Sequence, residues 1–408
     1  MKNTFQSLRN PNYRIWAAGA LVSNIGSWMQ RTAQDWIVLT ELTDRNATAV
    51  GIVMGLQFGP QILLLPLTGY AADHLDRRKL LFCTQAAMGV LALVLGLLVV
   101  TEQVRLWHVY VLAFLLGCAS AFDSPARQTF VAELVDPRFL SNAIALNSTS
   151  FNAARMIGPA AAGVLIASVG TGWVFLLNAL SFVAVLFSLT FLRTRTLQPA
   201  RHAGRARGSL LDGFRYVLGR PDLKTILLML FLISTFGLNF SIYISTMAVT
   251  VFHAGASEYG WLTSMMAAGS VIGALMTAAR AQQSIAVLLA GAALFGIGCA
   301  AAALMTNYWL FGVALVILGF AAQTVTTSTN SLVQTSTDPA MRGRVIAILL
   351  AIALGGTPIG APIVGWIADI FGPRWALGVG AASGLLAAAV AVIYLARRRI
   401  SDDRSWTS

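Results

Sequence analysis

Three stretches of this sequence place charged side chains inside otherwise apolar segments, at spacings that put them on one helical face. Arg31 and Asp35 stand four residues apart and share a face with Asn24 and Trp28. Asp123 and Arg127 repeat that acid–base spacing, with Ser120 beside them. Arg155 shares a third face with Ser148, Asn152 and Pro159. An ionisable group near the middle of a membrane helix costs about 2.5–3.5 kcal/mol on insertion scales, so each face must point at protein or at a water-filled cavity. Two chemistries fit. The faces are either a polar lining for protons, substrate or both, or internal ion pairs that lock helices together. The lining reading is favoured for Arg155, in mid-span where snorkelling to water is hardest, and for Asp35. Both readings stay open for Asp123 and Arg127. Glu133, at the end of the same segment as Asp123, is placed to pair with Arg77 or Arg78 in a gate. No nucleophile–base pair, phosphate-binding glycine loop or ligand-spaced His/Cys set occurs, so the sequence predicts no enzyme, no metal and no cofactor. Cys83, Cys118 and Cys299 all fall in apolar runs and read as small hydrophobes.

The elements carrying these residues follow from composition. Of 408 residues 57% are hydrophobic and 11% charged, against roughly 25% charged in a soluble domain. That is too little charge to coat a globular surface in water. Runs of about 20 apolar residues recur along the chain, the length a helix needs to cross the hydrocarbon core. Hydropathy punctuated by Gly, Pro and charge predicts 12 transmembrane helices, near 14–39, 48–70, 79–101, 107–132, 141–168, 172–192, 223–251, 258–279, 284–304, 307–334, 342–370 and 374–395. A transmembrane barrel would show short alternating segments instead. The fold class is all-α membrane protein.

Twelve spans put both termini on one side, and basic residues mark which. Of the 28 Lys and Arg, Arg31, Arg127 and Arg155 lie inside spans. Arg45, Arg105 and Arg374 fall on the far side, and all others on the side of the termini. The termini are therefore expected in the cytoplasm and the chain in a bacterial inner membrane. The net charge of +12 is mainly topological, which removes nucleic acid from the expected partners. The polar, basic N-terminus lacks the features of a removed signal peptide. The expected organisation is a six-helix bundle over 1–193, a cytoplasmic linker over 194–222 with an amphipathic helix at Ser209–Leu218, a second bundle over 223–396 and a cytoplasmic tail over 397–408. Residues 201–208 read as a polar stretch of that linker.

The halves repeat at an offset of 202 residues. Gly117 matches Gly319, Asp136-Pro137 matches Asp338-Pro339, Gly158 matches Gly360, Gly163 matches Gly365, Gly170 matches Gly372, and Trp107 and Trp173 match Trp309 and Trp375. Parallel six-helix repeats are a transporter architecture in which two bundles can expose a central site to each side in turn. The offset also maps Asp123, Arg127 and Arg155 onto Val325, Thr329 and Thr357, so the second half lacks these charges. Its seventh span carries Phe231, Phe236, Phe240 and Tyr243 instead. This predicts charge for coupling in one half and apolar surface for an amphiphilic substrate in the other. Gly158, Pro159, Gly360 and Pro362 read as points where helices bend and pack closely.

The loop after span two, Gly69-Tyr-Ala-Ala-Asp73-His74-Leu-Asp76-Arg77-Arg78-Lys79, resembles the cytoplasmic loop motif of the major facilitator superfamily, with His74 for its usual Arg and Asp76 for its usual Gly. Leu8–Arg14, Ala121–Gln128, Asn142–Ser148 and Asn152–Ala160 resemble the branch containing the enterobactin exporter and macrolide efflux proteins. The resemblance implies a secondary transporter whose loop, through Gly69, Asp73, Arg77 and Arg78, gates the cytoplasmic side. Gly158-Pro159 resembles the fifth-helix motif of the superfamily's antiporters and implies export. The expected partners are a small-molecule substrate (drug, macrolide or siderophore), protons and membrane lipid, with the proton-motive force as drive. The alternatives are an importer or lipid transporter of the same fold, or a membrane sensor without transport.

Overall fold

The computed structural model describes residues 6–193, 210–280 and 283–405, and these are helical with no strand among them. The helices are α1 (Pro11–Thr40), α2 (Ala47–Leu63), α3 (Leu65–His74), α4 (Arg77–Val100), α5 (Leu106–Leu134), α6 (Leu140–Val169), α7 (Thr171–Thr190), α8 (Leu210–Leu218), α9 (Pro221–Leu232), α10 (Phe240–Thr246), α11 (Ala256–Ala278), α12 (Ile285–Leu304), α13 (Tyr308–Ser336), α14 (Arg342–Phe371) and α15 (Pro373–Ser405). Among the described residues ten helical segments are long and apolar enough to cross a membrane. The helix α2 is shorter, at 17 residues. The 30-residue α1 carries Arg14, Arg31 and Asp35 along its length.

Local chemistry sets the ends. Asn10 accepts from the backbone N–H groups of Asn12 and Tyr13, with Pro11 at the first turn of α1. Asp76, which departs from the loop motif, serves as the N-cap of α4 and accepts from the Lys79 N–H at 3.1 Å. The predicted span 48–70 is divided at Leu64, because Pro66 opens α3 and has no N–H to continue the ladder of α2. The predicted span 223–251 is likewise not one regular helix. Wide π turns at Ile233–Gly237 and Met247–Val251 flank α10. The amphipathic helix of the linker forms as α8. Val217 is buried while Leu211 and Phe214 stay exposed, and Arg220 at its end grips Asp222 through two hydrogen bonds of 3.0 and 2.7 Å. That hydrogen bonding raises the guanidinium's pKa further above its ordinary value. Residues 201–208 lie outside the described residues.

The sequence repeat reappears as repeated geometry. Gly170 and Gly372 form the α6–α7 and α14–α15 corners with φ of +93° and +98°, a region that favours glycine. Gly158 brings α6 onto α1, where an added Cβ would stand 2.6 Å from Trp28 Cβ; Gly360 brings α14 onto the Thr235 backbone in the same way. Gly163 meets the start of α11 and Gly365 the start of α2, where added Cβ atoms would stand 3.0 Å from Ser257 Cα and 2.9 Å from Thr48 Cα. Small residues at such crossings let membrane helices approach closely.

The chain divides into two compact units. The first comprises Met1–Arg45, Leu56–Gly204 and Ala254–Ser264; the second comprises Asn46–Gly55, Arg205–His253 and Met265–Ser408. In the first, α1 packs on α6 and α7, and α4 on α5 and α7. In the second, α12 packs on α13 and α15, and α14 on the Ile233–Gly237 turn. The glycine contacts explain why the start of α11 groups with α6 and the start of α2 with α14.

Candidate functional site

Arg31, Asp35, Asp123, Arg127 and Arg155 all fall in the first unit, and two of them, Arg31 and Arg155, share one indole. The Arg31 guanidinium lies 4.9 Å from the Trp28 ring centroid and 5.5 Å from that of Phe58 on α2. The Arg155 guanidinium, from α6, lies 5.7 Å from the same Trp28 ring. Phe151, one turn before Arg155, meets Trp28 edge-on at 5.7 Å. The close crossing at Gly158 is what brings these two helices together. Both arginines and Trp28 are half-buried.

One turn beyond Arg31, Asp35 is buried. The Tyr259 hydroxyl, from α11, donates to its Oδ2 at 3.3 Å, and the Tyr259 ring stacks on Trp36 at 6.0 Å. Tyr259 carries no signal in the sequence, since a lone tyrosine in an apolar helix gains meaning only when the fold places it opposite an acid.

Asp123 is wired differently. Its Oδ1 accepts from Thr84 at 2.9 Å and Gln85 at 2.6 Å, and its Oδ2 from Arg127 Nε at 3.1 Å, with Arg127 Nη2 in ion-pair contact at 3.1 Å. Arg127 also donates to Asn24 on α1 at 3.1 Å. Three side chains donate to this carboxylate and Arg127 reaches on to Asn24, so the arrangement ties α1, α4 and α5 together. Thr84 and Gln85 bear no sequence spacing to Asp123 that would mark them as its partners. Asn152 donates to the Ser148 carbonyl of its own helix at 2.9 Å.

At the α4 end, Arg77 pairs with Glu133 at 2.6 Å, both largely buried. Arg78 donates to the carbonyls of Leu189 and Thr190 at 2.8 and 3.3 Å, capping the C-terminus of α7. Both contacts lie within the first unit. The surroundings of Gly69 and the Asp73 side chain lie outside what the structure describes. Pro159 is buried in α6, and Pro362 lies beside Gly51 and Gly55 of α2.

In the second unit, Val325 and Thr329 are fully buried, and the Thr329 hydroxyl has no partner among the described residues. Of the seventh-span aromatics, Tyr243 and Phe240 pack inside the unit, while Phe231 is exposed. Tyr243 is wholly buried with its hydroxyl on the Phe236 carbonyl, and Phe240 meets Phe295 edge-on at 6.1 Å. A further acid, Asp369 on α14, accepts from the Ala47 and Thr48 N–H groups at 2.7 and 2.8 Å. Among the described residues no group of His, Cys, Asp and Glu could hold a metal ion.

Comparison with known proteins gives a consistent setting. A family profile described as transmembrane secretion effector matches residues 2–407. The chain is 26% identical to the staphyloferrin A transporter of Staphylococcus aureus, over 85% of this chain and 87% of that protein. It is 27% identical to the multidrug efflux pump Tap of Mycolicibacterium fortuitum (86% and 88%) and 25% identical to the enterobactin exporter EntS of Shigella boydii (82% and 80%). Among solved structures, a POT family transporter in complex with 5-aminolevulinic acid superposes with a TM-score of 0.74 at 11% identity, covering 95% of this chain and 96% of that one. A bacterial homolog of the human lysosomal transporter Spinster superposes with a TM-score of 0.71 at 15% identity, covering 95% and 96%. At these identities the structural likeness speaks for fold alone.

Proposed function

Since the chain belongs to the transmembrane secretion effector family of the major facilitator superfamily, we propose that it is a proton-coupled exporter of small amphiphilic molecules, working by alternating access in the bacterial inner membrane. In this reading the chain crosses the membrane 12 times, as six-helix bundles over 1–193 and 223–396 joined by the 194–222 linker, with both termini cytoplasmic. The relatives named as an exporter and an efflux pump support the direction. The substrates of those relatives differ from one another, so they support a small-molecule cargo and no single compound.

The observation that carries the coupling is that the buried acid Asp35 meets the Tyr259 hydroxyl, which joins α1 to α11. Asp123 accepts from Thr84, Gln85 and its own cation, Arg127, with which it is ion-paired. Asp35 accepts a long hydrogen bond from a neutral hydroxyl and lies one turn from Arg31, on which it acts electrostatically. Exchanging a proton at Asp35 leaves the Asp123–Arg127 network untouched, so Asp35 is the coupling acid in this proposal and Asp123–Arg127 is a fixed strut. Arg31, Arg155 and Asn152 line the substrate side of the same region. Gly69, Asp73, Arg77, Arg78 and Glu133 form the cytoplasmic gate. The test is transport by purified protein in liposomes with an imposed pH gradient, across a panel of antibiotics and siderophores. Accumulation of any panel member that collapses with the gradient supports the proposal. A protein that binds panel members but moves none, with or without a gradient, would be a sensor.

A further inference from the structure

Arg31 and Arg155 share Trp28, both within the roughly 6 Å reach of a cation–π contact, and Arg31 acts on Arg155 as a like charge. Neither donates a hydrogen bond to any protein group among the described residues, and neither lies within ion-pair distance of a carboxylate there. Ion pairs that do form among the described residues include Arg77–Glu133, Arg127–Asp123, Arg138–Asp136 and Arg220–Asp222. Asp35, the acid one turn from Arg31, offsets one positive charge of the two. Arg127, the third basic residue of the apolar segments, shows the contrast, since its donors go to Asp123 and Asn24.

A half-buried guanidinium pair with its donors unspent is costly in a membrane protein. It is kept where an anion completes it. A guanidinium stacked on an aromatic face still offers its planar fork of N–H donors to a carboxylate or phosphate in two-point contact. Here the fork is doubled, and the surroundings are aromatic: Trp28, Phe58 and Phe151 flank the two cations. We infer that Arg31, Arg155 and Trp28 form the recognition site for an amphiphilic anion, a carboxylate joined to a planar apolar body, with the arginines holding the charge and the aromatic rings the body. Where the transported cargo is concerned this deepens the export reading above; the binding itself does not depend on it.

The experiment uses the full chain in nanodiscs of phosphatidylcholine and three probes that share one ring system: 2-naphthoate, neutral 2-naphthamide and cationic 2-naphthylmethylamine. Binding is measured calorimetrically. The naphthoate should bind at least tenfold tighter than the other two. Arg155→Gln and Arg31→Gln should each cut naphthoate affinity tenfold or more, Arg155→Lys should retain an intermediate affinity, and all should leave amide binding within twofold. Melting temperatures of the variants check folding, and the amide arm reports an intact aromatic pocket. Equal affinity for the three probes, no naphthoate binding, or undiminished binding in a folded Arg155→Gln protein overturns the inference. So does complete displacement of naphthoate by phosphatidylglycerol added to the discs, which would make the cluster a lipid-headgroup site. Gradient-driven export of the same probes from liposomes separates the two proposals. Arginine-dependent binding without export removes the export reading alone, and arginine-independent export removes the anion site alone.

Discussion

The Tyr259 hydroxyl donates to Asp35 at 3.3 Å, joining the first turn of α11 to α1 inside one compact unit. A proton on Asp35 turns that carboxylate into a donor as well as an acceptor, so loading and unloading the acid changes how α11 can be held. Asp35→Asn, which mimics the protonated acid, should abolish uphill efflux driven by a pH gradient and spare downhill exchange of the same substrate. Substrate-induced proton release by the purified protein should vanish with it. Efflux and proton release at wild-type levels in this variant would reduce Asp35 to a packing partner.

The Asp123–Arg127 pair makes the opposite prediction. Removing one member of a buried, hydrogen-bonded ion pair costs about 3–5 kcal/mol, because the remaining charge is stranded. Asp123→Asn and Arg127→Gln should each lower the apparent melting temperature in detergent markedly. The double variant should be less destabilised than the two single losses added. Strict additivity in that cycle would show that the pair does not act as a strut.

Orientation can be read with single cysteines in a cysteine-free background. Gln103 and Gly219 are both exposed, so a difference in labelling reports membrane side and not burial. A membrane-impermeant thiol reagent on intact spheroplasts should label Gln103→Cys and leave Gly219→Cys unlabelled until the cells are opened. Equal labelling in intact cells would remove the charge-bias argument for cytoplasmic termini.

What the sequence made legible were features with a local or periodic signature. Long apolar runs locate helices, and the amphipathic stretch near Ser209–Leu218 predicts α8. The 202-residue repeat predicts that Gly158 and Gly360, or Gly170 and Gly372, share a role, and their geometry agrees. Hydropathy averages over the proline that divides span two at Leu64 and the π turns of span seven, so those breaks were invisible to it. In the site, charge within apolar runs picked out Arg31, Asp35, Asp123, Arg127 and Arg155. It could not say who meets whom. Spacing suggests the same Arg–Asp couplet twice, yet Arg127 is bound to its acid while Arg31 lies on Trp28 and Phe58. Tyr259, Gln85 and Asp369 become meaningful only through contacts many residues apart in the chain.

Asp369 is the sharpest case. The first N–H groups of any helix lack intrahelical partners. At α2 the Ala49 N–H goes to the Asn46 side chain at 2.8 Å, while Ala47 and Thr48 donate to Asp369 from α14, which also takes the Thr48 hydroxyl. A carboxylate there satisfies the orphan donors and the positive end of the helix dipole together. Replacing a side-chain cap with Ala costs about 1 kcal/mol, and a shift of that size changes an opening equilibrium roughly fivefold. Ala49, buried to 2% exposure beside this contact, is the reporter. A single cysteine at Ala49 should react with an aqueous maleimide up to about fivefold faster in the Asp369→Ala protein than in its parent. Asp369→Asn, which keeps an acceptor but not the charge, should fall between the two. Identical rates in all three would mean that Asp369 does not hold the start of α2 against α14, and that the Gly51 and Gly365 crossing alone keeps it closed.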